Sequence, residues 1–216
     1  MGQPTSPSTT AAHLLTTSPV IPVVVIKDAR QAVPLAQALA RGGVGVIEIT
    51  LRTPAGLAAI ERVAAEVPEI LVGAGTVTTP TEVRNVTRAG AQFIVLPGSP
   101  DQLLEAALES GLPLLPGAST LTEMMRLLEH DLTAMKFFPA EVSGGVHFLS
   151  AVAGPLPNLR FCPTGGITLN TAPKYLALAN VGCVGGSWLT PPDAVTAEDW
   201  ARIETLAAEA ARLRPT

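Results

Sequence analysis

Eight times between residues 20 and 213, a short apolar run is followed by a segment of helical composition. The apolar runs fall at 20–26, 44–50, 71–74, 93–96, 114–116, 134–137, 159–162 and 183–186. The helical segments fall at 29–41, 55–66, 81–89, 100–110, 120–129, 146–153, 171–179 and 197–213. The runs are nearly continuous in apolar residues and do not alternate with polar ones. That is the pattern of strands buried on both faces of a parallel sheet. A helix after every strand leaves two architectures, a closed (β/α)8 TIM barrel and an open doubly wound sheet. An open sheet usually begins with a glycine-rich first turn, and Lys27-Asp28-Ala29-Arg30 is nothing like one. The expected fold is α/β, a single (β/α)8 barrel domain over residues 19–216.

The punctuation agrees with these boundaries. Thr53-Pro54, Thr79-Pro80 and Ser99-Pro100 each put a hydroxyl before a proline, whose missing N–H costs nothing in a first helical turn. Thr79 with Glu82, and Thr120 with Glu123, have capping-box spacing. Gly90, Gly111 and Gly182 each fall between a helix and the next strand, where left-handed helix ends are expected.

Composition removes several classes of partner. The chain is 47% hydrophobic and 15% charged, enough to fill a large core, yet its apolar runs are far shorter than a bilayer requires. No membrane partner is expected. A net charge of -4 without any basic cluster argues against nucleic acid. Cys162 and Cys183 both lie in strand-like apolar stretches, and two buried thiols fit a reducing cytoplasm better than a disulfide framework. Residues 1–18, rich in Ser, Thr and Pro, read as an N-terminal tail in which His13-Leu14-Leu15 starts a short helix. They lack the positive start and apolar middle of a secretory signal. Met1-Gly2 with Ser6 formally fits a myristoylation pattern, one short enough to arise by chance.

A barrel places its functional residues at the carboxyl ends of different strands. Those ends carry Glu48 and Arg52, Gly75 and Thr76, Pro97 and Gly98, Gly117 to Ser119, Lys136 and Phe138, Thr164 to Gly166, and Gly185 to Ser187. Lys136 is the most informative, because it sits in the apolar run Ala134-Met135-Lys136-Phe137-Phe138, closed by Pro139. Burial disfavours the ammonium, and a neutral lysine amine attacks carbonyl carbon to give a Schiff base. The plainer alternative is a lysine that extends its amine to water at a strand end. Glu48, inside Val46-Ile47-Glu48-Ile49, must be paired or functional, with Lys136 and Arg52 as candidate partners.

Glycine-rich turns follow the last two strands. Without side chains, successive backbone N–H groups converge on a phosphate, and in barrels this pair of loops is the usual phosphate site. The structural alternative is that each Gly-Gly is simply a turn. The histidines, His13, His130 and His147, are scattered without metal-ligand spacing, so no metal is expected. No nucleotide loop or dinucleotide fingerprint occurs, and no cofactor is expected.

Four motifs carry a family resemblance: Glu48-Ile49-Thr50-Leu51-Arg52-Thr53-Pro54, Gly73-Ala74-Gly75-Thr76-Val77, Lys136-Phe137-Phe138-Pro139-Ala140-Glu141 and Pro163-Thr164-Gly165-Gly166-Ile167. Together they resemble the bacterial 2-dehydro-3-deoxy-phosphogluconate / 4-hydroxy-2-oxoglutarate (KDPG/KHG) aldolase family, over about residues 20–187. The resemblance implies a class I aldolase, usually a homotrimer, in the cytoplasmic Entner-Doudoroff route. It also implies a 2-oxo acid and a phosphorylated sugar acid as small-molecule partners. By the same resemblance Lys136 is the Schiff-base lysine and Glu48 the general acid/base. Arg52 and Thr76 hold the substrate carboxylate, and Gly165, Gly166, Gly186 and Ser187 the phosphate. Pro97, Phe138 and Thr164 match pocket positions. The chain departs from the family pattern at Leu121, where a proline is common, at a helix start away from the chemistry. Arg52 and Thr164 side with the gluconate branch, since sister galactonate aldolases tend to carry Asn and Val there.

Three activities are compatible with this sequence. They are a class I aldolase, a phosphosugar isomerase or epimerase that needs a base but no imine, and a non-catalytic binder of phosphorylated sugars.

Overall fold

The computed structural model describes residues 10–213, so the myristoylation pattern lies outside the described residues. Helix α1 (Ala11–Thr17) opens the described chain, capped by the Thr10 hydroxyl, and buries Leu14 and Leu15. This is the short helix expected at His13 to Leu15. Then follow β1 (Val20–Val24), a 3-10 turn (Ala29–Gln31), α2 (Ala32–Arg41), β2 (Val46–Thr50), α3 (Gly56–Glu66), β3 (Leu71–Gly75), α4 (Pro80–Arg88) and β4 (Ile94–Val95). Next come α5 (Asp101–Glu109), β5 (Leu114–Leu115), β6 (Gly117–Ala118), α6 (Leu121–Leu128), β7 (Ala134–Phe137), α7 (Gly145–Val152) and β8 (Arg160–Pro163). The described chain ends with α8 (Ala172–Leu176), β9 (Val184–Gly186), α9 (Pro192–Thr196) and α10 (Trp200–Ala211). Pro34 is tolerated in α2 because it sits in the first turn, where its N–H has no helical partner to lose.

Every strand pairing is parallel. A six-stranded sheet runs in the order β5-β4-β3-β2-β1-β9, and a three-stranded sheet in the order β6-β7-β8. β5 occupies the apolar run expected at 114–116, and β6, which was not expected as a strand, follows directly after Pro116. The carbonyl of Pro116 accepts from Lys136 N at 2.9 Å. Two isolated parallel bridges, Phe161↔Val181 and Thr164↔Gly185, link the β8 segment to the β9 segment. All five residues of β1 and of β2 are buried, as unalternated runs require. The core is continuous from Leu14 to Ala210, with Phe93, Phe137 and Phe161 among its largest fully buried side chains.

The capping boxes of Thr79 with Glu82 and Thr120 with Glu123 are both formed. Two other expected caps are not. The Thr53 hydroxyl donates to the Ile26 carbonyl, and α3 starts later, at Gly56. The Ser99 hydroxyl donates to the Gly117 carbonyl at 3.0 Å, and Pro100 is the N-cap of α5. In both cases a hydroxyl at a strand end ties two loops together instead of capping its own helix. Gly90 (φ 84°) and Gly111 (φ 69°) take the left-handed conformation, whereas Gly182 does not. Its requirement is close approach: a Cβ there would lie 2.7 Å from Leu15 Cβ. The helix expected from residue 197 is α10, which starts at Trp200 capped by Asp199, and a separate short α9 precedes it. Among the described residues, no helix is long and apolar enough to cross a membrane.

Candidate active site

Register brings the chemistry together. Lys136 on β7 pairs with Gly117 on one side and Cys162 on the other, while Glu48 on β2 pairs with Val23 and Gly73. The two side chains point to the same interior, and Lys136 Nζ lies 3.1 Å from Glu48 Oε1. Both are almost fully buried, with side-chain exposures of 4% and 3%. Of the two partners expected for Glu48, the structure selects Lys136. A buried pair of this kind can pass a proton across one hydrogen bond. Removing one member strands the other, typically at about 3–5 kcal/mol.

Gly75 makes room for this pair. A Cβ at that position would lie 2.1 Å from Glu48 Oε1 and 2.6 Å from its Cγ. Thr76, the next residue, is one of few non-glycine residues with positive φ (57°). For a β-branched side chain this backbone is strained by about 1–3 kcal/mol. Its hydroxyl accepts from Arg52 Nε at 3.3 Å. Arg52 is exposed, and its terminal nitrogens have no protein acceptor among the described residues.

Phe138 lies beside Lys136, its ring centroid 5.4 Å from Nζ. Together with Val23, Arg52, Thr164, Gly165, Gly166, Ile167, Gly185, Gly186 and Ser187 it lines a cavity of about 230 Å³. Seven of the residues expected from the sequence meet here. Thr76 joins through Arg52, while Glu48 and Lys136 are buried outside the lining, Lys136 beside Phe138 and Glu48 in register with Val23. Pro97 is half-buried at the back of Gly117, where a Cβ would lie 2.4 Å from the Pro97 carbonyl carbon. It does not line the cavity. A second cavity of about 400 Å³, between α5 and α6, is larger but holds no buried titratable side chain. Its Arg126 and Asp101 are exposed and ion-paired to each other, so the smaller cavity is the chemical candidate.

The turn after β8 has Gly165 at φ 104° and Gly166 at φ 81°, a backbone that side chains rarely adopt. Among the described residues, the N–H groups of Gly165, Gly166 and Ile167 meet no protein acceptor. Unpaired N–H groups along a pocket wall suit an anion. On the other side, Gly185 and Gly186 are glycines for packing. A Cβ would lie 2.1 Å from Thr164 Oγ1 in the first case and 1.9 Å from the Trp188 ring in the second.

Cys162 and Cys183 are free and buried near the pair. The hydrogen bond with Cys162, burial and the nearby Glu48 charge push the Cys183 thiol well up, so it stays protonated and is a poor competing nucleophile. Sequence reasoning assigned no role to Val23, gave Gly75 only a strand-end place, and read Gly185 only as part of a glycine-rich turn. Gly75 was visible at a strand end, but the need for a missing Cβ there depends on where Glu48 lies across the sheet. Lys27 and Lys174 are both exposed, in contrast to Lys136.

The family model "KDPG and KHG aldolase" matches residues 12–206. The 2-dehydro-3-deoxy-phosphogluconate aldolase of Dickeya dadantii (strain 3937) is 53% identical over 202 residues, 94% of this chain and 95% of that protein. The KHG/KDPG aldolase of Escherichia coli (strain K12) has the same identity and coverage. In structure, the chain resembles the KDPG aldolase from Legionella pneumophila, described with pyruvate captured at low pH as a covalent carbinolamine intermediate. That match has a TM-score of 0.92 and 43% identity, covering 94% of this chain and 98% of the other. This chain belongs to the KDPG and KHG aldolase family.

Proposed function

We propose that the protein is a class I aldolase that reversibly cleaves 2-dehydro-3-deoxy-6-phosphogluconate to pyruvate and glyceraldehyde 3-phosphate. Cleavage of 4-hydroxy-2-oxoglutarate to pyruvate and glyoxylate is part of the same proposal, supported by the double name of the Escherichia coli relative. The observation that carries the reading is the buried 3.1 Å contact between Lys136 Nζ and Glu48 Oε1, beside the Phe138 wall of a cavity with unpaired N–H groups. An isomerase would need the carboxylate but not the lysine, and a binder would need neither in the interior. Burying both without a chemical use would be a costly way to hold a fold.

The chemistry follows from that contact. Passing the proton from Nζ to Oε1 produces a nucleophilic amine and a general acid in one transfer. The amine lone pair attacks C2 of the 2-oxo acid to give a carbinolamine, and Glu48 supplies the proton with which its hydroxyl leaves as water. The resulting iminium draws the electrons of the C3–C4 bond as the C4 hydroxyl proton passes to Glu48, directly or through a water molecule. Glyceraldehyde 3-phosphate departs and an enamine remains. Protonation at C3 and hydrolysis of the pyruvate imine restore Lys136. In this scheme Arg52, with Thr76 fixing its Nε, holds the substrate carboxylate through its free terminal nitrogens. The Gly165–Gly166 turn, Gly186 and Ser187 bind the 6-phosphate at the far end of the cavity, and Phe138 and Thr164 shape the space between. Pro97 packs against Gly117, the neighbour of Lys136 in the sheet.

The two sheets are best read as one closed (β/α)8 barrel. In support, only Pro116 separates β5 from β6, Lys136 N bonds the Pro116 carbonyl, and the bridges Phe161↔Val181 and Thr164↔Gly185 join the β8 and β9 segments. A homotrimer and a cytoplasmic place in the Entner-Doudoroff route complete the proposal, and rest on family membership alone. The decisive experiment is borohydride reduction in the presence of pyruvate. It is expected to leave a covalent adduct on the peptide that carries Lys136. An adduct on Lys174 or Lys27 instead, or none, overturns the assignment.

A further inference from the structure

The Lys136-containing motif continues to Glu141, and no step above uses that residue. Glu141 is exposed on the loop after β7, yet it is tied on three sides. Its N–H donates to the Gly165 carbonyl at 3.1 Å, and the preceding Ala140 N–H donates to the Thr164 carbonyl at 2.8 Å. Its Oε1 accepts from the Tyr175 hydroxyl at 2.6 Å. Its stem lies flat against the glycine turn, since a Cβ on Gly166 would be 2.6 Å from Glu141 Cγ and 2.8 Å from its Cβ. Tyr175 itself is 1% exposed, on α8. Its hydroxyl reaches Glu141 past Gly145, where a Cβ would come within 2.9 Å of the oxygen.

The geometry points to Tyr175 and Glu141 as positioning residues that hold the Gly165–Gly166 turn in its anion-binding shape. The inference rests on the phosphate reading of that turn. Glycines at φ 104° and 81° have a wide choice of backbone conformations, and no side chain of their own fixes them. The constraint comes from outside. Backbone bonds from Ala140 and Glu141 hold one edge of the turn, and the Glu141 stem covers the face of Gly166. The tyrosine keeps that stem in place. The pair also settles an electrostatic conflict. A carboxylate beside a phosphate site repels the ligand, but this one is bonded to α8 and does not line the cavity. Burial and the bond to Glu141 push the Tyr175 phenol above its ordinary value, so it remains a donor throughout the working range. A pre-set turn binds its ligand without first having to be ordered, which is where a lost tether appears as lost affinity.

The test uses the full chain with two substrates and one probe. Tyr175→Phe removes only the hydroxyl. It is expected to raise KM for 2-dehydro-3-deoxy-6-phosphogluconate, and the inhibition constant of inorganic phosphate, by about tenfold, the scale of one hydrogen bond to a charged group. The kcat/KM for 4-hydroxy-2-oxoglutarate, which has no phosphate, should not change, nor should proton exchange at the methyl group of pyruvate. Glu141→Ala should reproduce this split and serves in place of Tyr175→Phe if that variant does not fold. Glu141→Gln keeps both the stem and an acceptor, and should restore nearly wild-type values. Equal losses on both substrates would make the pair mere scaffold and overturn the inference, as would an unchanged KM and inhibition constant. Failure of the underlying phosphate reading looks different. The wild-type protein would then ignore inorganic phosphate and show no preference for the phosphorylated substrate, and the inference would fall with it.

Discussion

Gly75→Ala adds one methyl group at a position whose backbone an alanine can adopt, so any effect comes from the Cβ alone. That Cβ would lie 2.1 Å from Glu48 Oε1, whereas ordinary van der Waals contact begins near 3.4 Å. The strand cannot yield readily, because Gly75 pairs with Thr50 and its carbonyl accepts from Leu51 N at 2.9 Å. The Glu48 carboxylate must therefore move by about 1.3 Å, the difference between those two distances. A shift of that size breaks the 3.1 Å bond to Lys136 or forces the side chain off its rotamer. Displacing a catalytic group by an ångström typically costs about 10²-fold in rate. Loss of a buried pair costs up to about 3–5 kcal/mol of stability. At roughly 2–4 °C per kcal/mol for a chain of this size, Tm should fall by about 6–20 °C. Two assays separate the roles. Borohydride trapping with pyruvate should still label Lys136 at long times, since the amine stays in place, but more slowly, because imine formation loses the proton transfers that Glu48 supplies. Deuterium exchange at the pyruvate methyl group, followed by NMR, should slow by about 10²-fold, within the 10²–10⁴-fold range expected for Glu48→Gln. Near wild-type exchange in Gly75→Ala, with the adduct intact, would refute the claim that Glu48 must sit where it does to move the proton.

Arg52→Lys replaces a two-pronged cation with a point charge and should raise KM for pyruvate-type substrates by about tenfold with little change in kcat. Unchanged kinetics would leave Arg52 as a partner of Thr76 alone. Thr120→Ala removes a capping hydroxyl from α6 and should destabilise the protein by about 1 kcal/mol, with activity retained, as read from denaturant melts. The other half of that capping box is pH-sensitive. Partial burial raises the Glu123 carboxyl, but hydrogen bonds from Ser119 and Thr120 outweigh it and hold the group below its ordinary 4.5. A depressed value means its stabilisation is present above the unfolded pKa and lost as pH falls through the folded one. The Tm difference between wild type and Glu123→Ala should therefore shrink below about pH 4. A difference that stays constant to lower pH would exclude this linkage.

Local pattern was enough for the α/β class, because unalternated apolar runs and helix punctuation are properties of neighbouring residues. Thr79-Pro80 with Glu82 could be read directly as a helix start, since all its partners lie within four positions. Thr53 and Ser99 carried the same local signal but went elsewhere. Each found a carbonyl, of Ile26 or Gly117, that only the folded sheet brings close. The site divides in the same way. That Lys136 and Glu48 are anomalous could be read from their apolar neighbours. That they meet at 3.1 Å, across 88 positions, depends on the register of β2 and β7. A slip of one residue in either strand would turn its charge to the opposite face. Gly75 and Gly185 could be placed at strand ends, but their need for a missing Cβ could not be read, and the link from Tyr175 through Glu141 to Gly166 was not legible at all. A missing Cβ carries no signal until the atom that needs its space is known, and that atom belongs to another strand or helix. Sequence periodicity set which residues stand at strand ends, and tertiary register decided which of those ends face one another.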